Sequence, residues 1–215
     1  MSSNLKIFIQ FSLFLLSICS LSCSGNDDDN KYKKDSLTTF IRKETKKEPD
    51  EKYQRPPIVN IVDTVTAKMI IIYIKDSAAN FERISLKLGK IYGAKLPAYL
   101  KKNKLKIIGP PMAWYKKQKA PYFFEAGIPI NKKGTKSIAG VQIREIKAGK
   151  AVIAHFYGPF QQLPLGYDAV KEWIKDNNKT LAGSPYETYV TDPVDKNGKQ
   201  VDPYKIKTDI IFPIK

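Results

Sequence analysis

The chain has 215 residues, with 37 Lys and Arg against 21 Asp and Glu, a formal net charge of +16, two cysteines and a single histidine. One histidine, with both cysteines in the N-terminal region, excludes a Cys/His zinc cluster, a multi-histidine metal site and a thiolate nucleophile, so neither a metal nor a cofactor is expected. A Ser-His-Asp triad would have to use His155, and no Gly-x-Ser-x-Gly elbow accompanies it.

Residues 1–22 read as an export signal. Lys6 is the only charge, Ile7 to Leu16 is apolar but interrupted by Gln10 and Ser12, and the run falls short of the roughly 20 residues of a membrane span. Ser20-Leu21-Ser22-Cys23 resembles a bacterial lipobox, with Leu two rather than three positions before the cysteine. That resemblance implies acylation (palmitate or a similar chain) at Cys23 and anchoring in a membrane. Cys19 competes poorly because bulky Ile18 precedes it. Ser24-Gly25-Asn26-Asp27-Asp28-Asp29 resembles the acidic tract of surface-exposed lipoproteins, and serves equally as a plain solvated spacer. The expected location is the cell envelope, as an outer-membrane lipoprotein facing the periplasm or the surface.

Residues 23–55 read as a tether. Positions 24–55 carry nine basic and eight acidic residues with few apolar ones, too little to form a core. Residues 56–215 suffice for one domain. Their basic excess is spread along the sequence without an arginine run or a nucleic-acid motif. No nucleic-acid partner is expected, and attraction to an anionic envelope surface is the more natural consequence.

Within the domain, Ile58 to Ile74 favours strand. Asp76-Ser77 is placed to cap a helix whose apolar positions are Phe81, Ile84, Leu88, Ile91 and Tyr92, continuing past Gly93 and Pro97 to about Lys102. Leu105 to Lys117 and Pro121 to Ile130 read as paired strands. The order then repeats. Val141 to Ile146 and Ala151 to Phe156 form one long or broken strand, and Gly158-Pro159 turns the chain. Tyr167, Val170, Trp173 and Ile174 stripe a shorter helix ending at Asn177-Asn178. Tyr186 to Val190 and Lys205 to Ile214 supply two strands around a polar loop, with a turn at Lys196-Asn197-Gly198.

The repetition extends to individual residues. Lys101, Asn103, Gly109, Pro111 and Tyr115 recur 74 positions later as Lys175, Asn177, Gly183, Pro185 and Tyr189, and Ile128-Pro129-Ile130 is echoed by Phe212-Pro213-Ile214. One supersecondary unit used twice predicts an α+β domain of pseudo-twofold tandem βαββ modules, whose seam is a natural place for a ligand.

His155-Phe-Tyr-Gly-Pro-Phe160, Trp173-Ile174, Gly183-Ser-Pro-Tyr-Glu-Thr-Tyr189, Asp192-Pro193 and the terminal Ile-Phe-Pro-Ile resemble the GyrI-like family, the AraC-type effector-binding domain. Gly109-Pro-Pro-Met-Ala-Trp-Tyr115 and Phe124-Glu-Ala-Gly-Ile-Pro-Ile130 agree, so the likeness covers about residues 58–215. The resemblance implies a cleft along the pseudo-dyad and a glutamate there, which falls on Glu187. No helix-turn-helix precedes the domain, so direct transcription control is not expected; gyrase inhibition is not expected either, because gyrase is cytoplasmic and the export signal sends this chain elsewhere.

The repeat mate of Glu187 is Ala113, which puts a carboxylate on one side of the seam only. Burial among aromatic walls would raise its pKa and suit it to a cation or to proton donation. Tyr189 shares its face by strand alternation, Tyr115 is the mate of Tyr189, and Trp114 faces the other way. Phe156 and Tyr157 could reach the mouth. The expected ligand-binding set is therefore Glu187, Tyr189, Tyr115, Tyr157, Phe156 and Trp114. His155, Trp173 and Glu125 are expected to be structural. A net positive domain opposes a cationic ligand at long range, while screening beyond about 8 Å leaves the local carboxylate in control.

The expected function is a lipid-anchored envelope protein that binds a small amphipathic or cationic molecule in an aromatic cleft, and that is not an enzyme. Two alternatives stand beside it. One is a hydrolase of strained, reactive small molecules using Glu187 and Tyr189, as the resemblance to some GyrI-like proteins implies. The other is a non-catalytic surface interaction lipoprotein.

Overall fold

The structure, a computed structural model, describes residues 55–117 and 119–215. The export signal, Cys23 and nearly all of the tether lie outside the described residues. Arg55 is already pinned to the domain: its guanidinium sits 4.0 Å above the Tyr204 ring and 3.5 Å from Asp202.

Eight strands form one sheet, β1 (Ile58–Thr66), β2 (Met69–Ala78), β3 (Met112–Tyr115), β4 (Tyr122–Ile130), β5 (Gln142–Ile146), β6 (Gly149–Tyr157), β7 (Tyr186–Tyr189) and β8 (Lys207–Pro213). Their order is β1-β6-β8-β7-β3-β4-β2-β5, and every neighbouring pair is antiparallel. Helix α1 (Phe81–Lys90) runs through a π-helical turn (Ile91–Lys95) into α2 (Leu96–Asn103), and α3 (Leu163–Asp176) is its counterpart. The modules are β2-α1-α2-β3-β4 and β6-α3-β7-β8, joined edge to edge at β3 and β7.

The seam carries the pseudo-dyad. Ala113 lies opposite Glu187, its own repeat mate. The duplication is visible in the joints as well. Lys104 and Asn178 both take positive φ, 51° and 50°, just past the helix ends. Asn103 and Asn177 donate their side-chain amides to the carbonyls of Tyr99 (3.1 Å) and Trp173 (2.8 Å). Ile107 then bridges to Ile130 as Leu181 bridges to Ile214. Such joints satisfy carbonyls that a helix C-terminus leaves without partners.

Four expectations are corrected. The apolar stretch Ile58 to Ile74 is two strands, and β1 leaves its own module to pair with β6 along its whole length. Val141 to Phe156 likewise divides, with β5 returning to β2. The two modules thus exchange arms. The helix cap is Asn80, whose side chain accepts from Arg83 N at 3.0 Å, because β2 continues through Asp76 and Ser77 in register with Phe124 and Phe123. Only Met112–Tyr115 of the stretch from Leu105 is strand.

Arm exchange dictates the curvature. β1 and β2 stand six places apart in the sheet, about 29 Å if it were flat, yet Thr66 and Met69 are joined by a link that spans at most about 10 Å. The sheet therefore curls away from its helices. Its inner face is filled by Ile71, Tyr73, Met112, Ala151, Tyr186 and Ile211. The outer face carries one core under α1 and α2, centred on Ile72, Ile91, Leu96 and Phe124, and another under α3, centred on Val152, Phe156, Val170 and Ile210. Strand alternation explains the split: Ile71 and Tyr73 face inward, Ile72 and Ile74 outward.

Candidate functional site

Between the two outer cores, above the seam, lies a cleft of about 530 Å³. Its floor is the end of β3 and β7. Its walls are the first turns of α1, the chain entering α3, and the loop after β7. Each wall follows from local sequence. The Asn80 cap starts α1 beside the seam, Pro164 in the first turn starts α3 on the other side, and Val190 and Thr191 donate their amides to the Lys207 carbonyl, fixing the start of the loop that carries Asp192 and Pro193.

Glu187 stands at the floor, 3% exposed. Tyr167 donates to its Oε1 at 3.0 Å and Tyr189 to its Oε2 at 2.9 Å. The hydroxyls of Tyr189 and Tyr115, repeat mates, meet across the pseudo-dyad at 2.9 Å. Tyr92 donates to the Met112 carbonyl at 2.7 Å and sets its ring edge-on to Tyr189, with centroids 6.5 Å apart. Phe160 contacts Tyr189 from the other side at 6.1 Å. The carboxylate is thus held in one orientation by two hydroxyls inside an aromatic wall.

Burial pushes the Glu187 carboxyl up to about 7, although donation from Tyr189 and Tyr167 pulls it down. Desolvation also lifts Tyr92, Tyr115 and Tyr189, reinforced by the nearby Glu187 charge, so these phenols stay neutral across the ordinary pH range. Glu187 alone among these hydrogen-bonded groups changes charge near neutrality. The rest of the lining is electrostatically one-sided. Its other carboxylates are Asp192 and Glu82, and neither Lys nor Arg is among the described lining residues. In a chain of net charge +16 this arrangement keeps the cations off the cleft wall.

Three of the six residues grouped from sequence converge here: Glu187, Tyr189 and Tyr115. Trp114 lies on the inner face, stacked on Tyr186 at 5.1 Å beneath the Arg144 guanidinium at 4.4 Å. Phe156 is fully buried under α3. Tyr157 alternates to the opposite face from Phe156 and is paired between Ile58 and Lys207. These three are outside the cleft lining, because the strand period and the helix cover decide direction where sequence proximity to a turn does not. His155 is a strand residue with Nδ1 2.7 Å from Asp209, and Glu125 pairs with Arg144 at 2.8 Å. Trp173 packs against the α3 core.

Sequence reasoning passed over Tyr92, Tyr122, Phe160 and Asp192 as cleft residues, and Tyr167 as the buried donor to Glu187 behind them. Tyr92 and Tyr167 sit in helical stripes, where an aromatic reads as core. Their hydroxyls matter only once the fold sets them near Met112 and Glu187. Asp192 stands out in the sequence only through its Asp-Pro pair, which gives no reason for it to face the cleft. Among the described residues no group of three or more His, Cys, Asp or Glu is arranged to hold a metal, and no helix is long and apolar enough to cross a membrane.

The model of the GyrI-like small molecule binding domain matches residues 68–215. Among solved structures the chain is similar to EcmrR in an EcmrR–DNA complex, at 21% identity and a TM-score of 0.62, covering 73% of this chain and 57% of that one. It thus spans little more than half the length of that protein. It is also similar to the EcmrR C-terminal domain, at 19% identity and a TM-score of 0.61, covering 74% of this chain and 98% of that one. A hydrolase from Listeria innocua follows at 11% identity and a TM-score of 0.49, covering 75% of this chain and 92% of that one. No curated protein matches the sequence significantly.

Proposed function

The chain belongs to the GyrI-like small molecule binding domain family, and from that premise we propose that it is a lipid-anchored envelope protein that captures an amphipathic organic cation in the cleft above the seam. The observation that carries this reading is Glu187, a buried carboxylate oriented by two tyrosine hydroxyls and surrounded by aromatic rings, in a cleft whose other charged side chains are also acidic. Aromatic faces attract a cation through their quadrupole, and a desolvated carboxylate lacks the water that would otherwise compete with a partner. The volume, about 530 Å³, is within the range of small-molecule sites.

The same geometry argues against hydrolysis as the main role. Both tyrosines that touch Glu187 direct their hydroxyl protons to it, and burial makes the Tyr189 phenol a weaker acid, so neither is poised to protonate a leaving group. Binding of a lipophilic monocation to the full chain, followed by calorimetry, tests the proposal. Glu187→Gln should weaken it about tenfold or more near neutral pH, the scale of losing one partly desolvated charge pair. An unchanged affinity in that variant would remove Glu187 from the site.

The anchor rests on the lipobox-like Ser20-Leu21-Ser22-Cys23 and the polar tether behind it. Metabolic labelling with palmitate should mark the wild-type chain and leave Cys23→Ala unlabelled. Label retained in Cys23→Ala would overturn that assignment.

A further inference from the structure

Asp192 is the least explained charged group in the cleft. It follows β7, three residues beyond Tyr189, and it is half-buried. Its carboxylate has no hydrogen-bond or ion-pair partner among the described residues. Its pKa is raised by burial, and nothing opposes that rise. Other loop carboxylates here behave differently. Asp195 accepts from the backbone of Asn197 and Lys199, and Asp202 caps Tyr204 N and meets Arg55. With Lys and Arg so abundant, an unpaired, partly desolvated aspartate on a cleft wall is an open place for a cation. Glu82 needs no such account, since it is exposed in the first turn of α1, where a carboxylate favours the helix dipole.

Glu187 and Asp192 line one cavity at different depths. Glu187 is nearly inaccessible at the floor, while Asp192 is partly open on the loop wall beside Pro193. They are five positions apart in the chain, so their Cα atoms are at most about 17 Å apart. Aromatic surface from Phe160 and Tyr189 lines the same cavity. We infer that the cleft takes a dicationic amphiphile, one positive group at Glu187 and the second at Asp192, joined by an apolar spacer along the aromatic wall. This rests on the cation-binding reading above and narrows it to ligands with two charges, a class that includes bis-quaternary ammonium ions and long diamines.

The test uses the full chain in zwitterionic nanodiscs, with empty discs as the partition blank. The probes are n-alkyltrimethylammonium ions and the matched α,ω-bis(trimethylammonium) alkanes, with spacers from pentane to decane. One spacer length should bind about tenfold tighter in the bis form than in the mono form, the effect of one added, partly desolvated charge pair. In Asp192→Asn that advantage, taken as the ratio of bis to mono affinity in the same variant, should fall below about twofold, and Asp192→Glu should restore most of it. Thermal melting checks that the loop variants stay folded. Equal binding of mono and bis probes by the wild type would overturn the two-charge inference and leave the cation reading standing, as would an advantage that persists in Asp192→Asn. Binding of neither probe would overturn both.

Discussion

Removing the charge at position 187 should make the protein more stable at alkaline pH while leaving it nearly unchanged in mild acid. The carboxyl of Glu187 titrates at about 7 in the folded protein, against 4.5 for an unhindered glutamate. In the window between those values the folded state holds a proton that the unfolded state has released. Stability from this group is complete below about pH 4.5 and is lost as the pH climbs through about 7. Multiplying the difference by about 1.4 kcal/mol per pH unit gives a loss of about 3 kcal/mol. Glu187→Gln cannot ionise and escapes that loss. Its amide nitrogen needs an acceptor where the carboxylate accepted from both Tyr167 and Tyr189, so one hydroxyl has to turn, at a cost of about 1 kcal/mol. The net expectation is near parity at about pH 5 and a gain of about 2 kcal/mol at about pH 8. Urea unfolding of both proteins at several pH values measures the difference directly, and other titrating groups cancel in it. Parallel stability profiles for the two proteins across that window would refute the burial argument.

The same proton competes with a bound cation. Monocation affinity should rise as the pH climbs through about 7 and level off above it, by the same factor in all that Glu187→Gln removes, with proton release visible as a buffer-dependent binding enthalpy in calorimetry. Tyr189→Phe keeps the ring and removes the donor to Oε2, so the Glu187 pKa should climb further and cation affinity near neutrality should fall about tenfold, recovering as the pH is raised. Away from the cleft, a Cβ at Gly127 would lie 2.7 Å from the Ile72 carbonyl oxygen across the β4–β2 ladder. Gly127→Ala should therefore cost about 1–3 kcal/mol, lowering Tm by several degrees in a thermal melt. Asn80→Ala removes the side-chain acceptor for Arg83 N, with a loss of about 1 kcal/mol by urea titration.

Much of the fold was legible because the chain states it twice. Lys104 and Asn178, or Gly109 and Gly183, occupy matching joints whose local chemistry is set within a few residues, so spacing alone revealed the modules. The seam carboxylate was legible for the same reason: only a duplicated frame makes Glu187 conspicuous against Ala113. The arm exchange of β1 and β5 was hidden. Those strands look locally like extensions of β2 and β6, and their pairing partners lie about 70 to 100 residues away in sequence, in the other module.

What the sequence determined by itself was the repeat, the alternation that puts Tyr189 with Glu187, and the asymmetry of charge at the seam, since periodicity and composition are properties of short segments. Tertiary structure alone decided which aromatics face the carboxylate. Tyr167 and Tyr92 arrive there from helices because those helices cross above the sheet, and Trp114 and Phe156 are excluded by the curl of the sheet and by the cover of α3. Burial also belongs to the tertiary level: a glutamate's pKa moves only when distant segments close over it and take its water away.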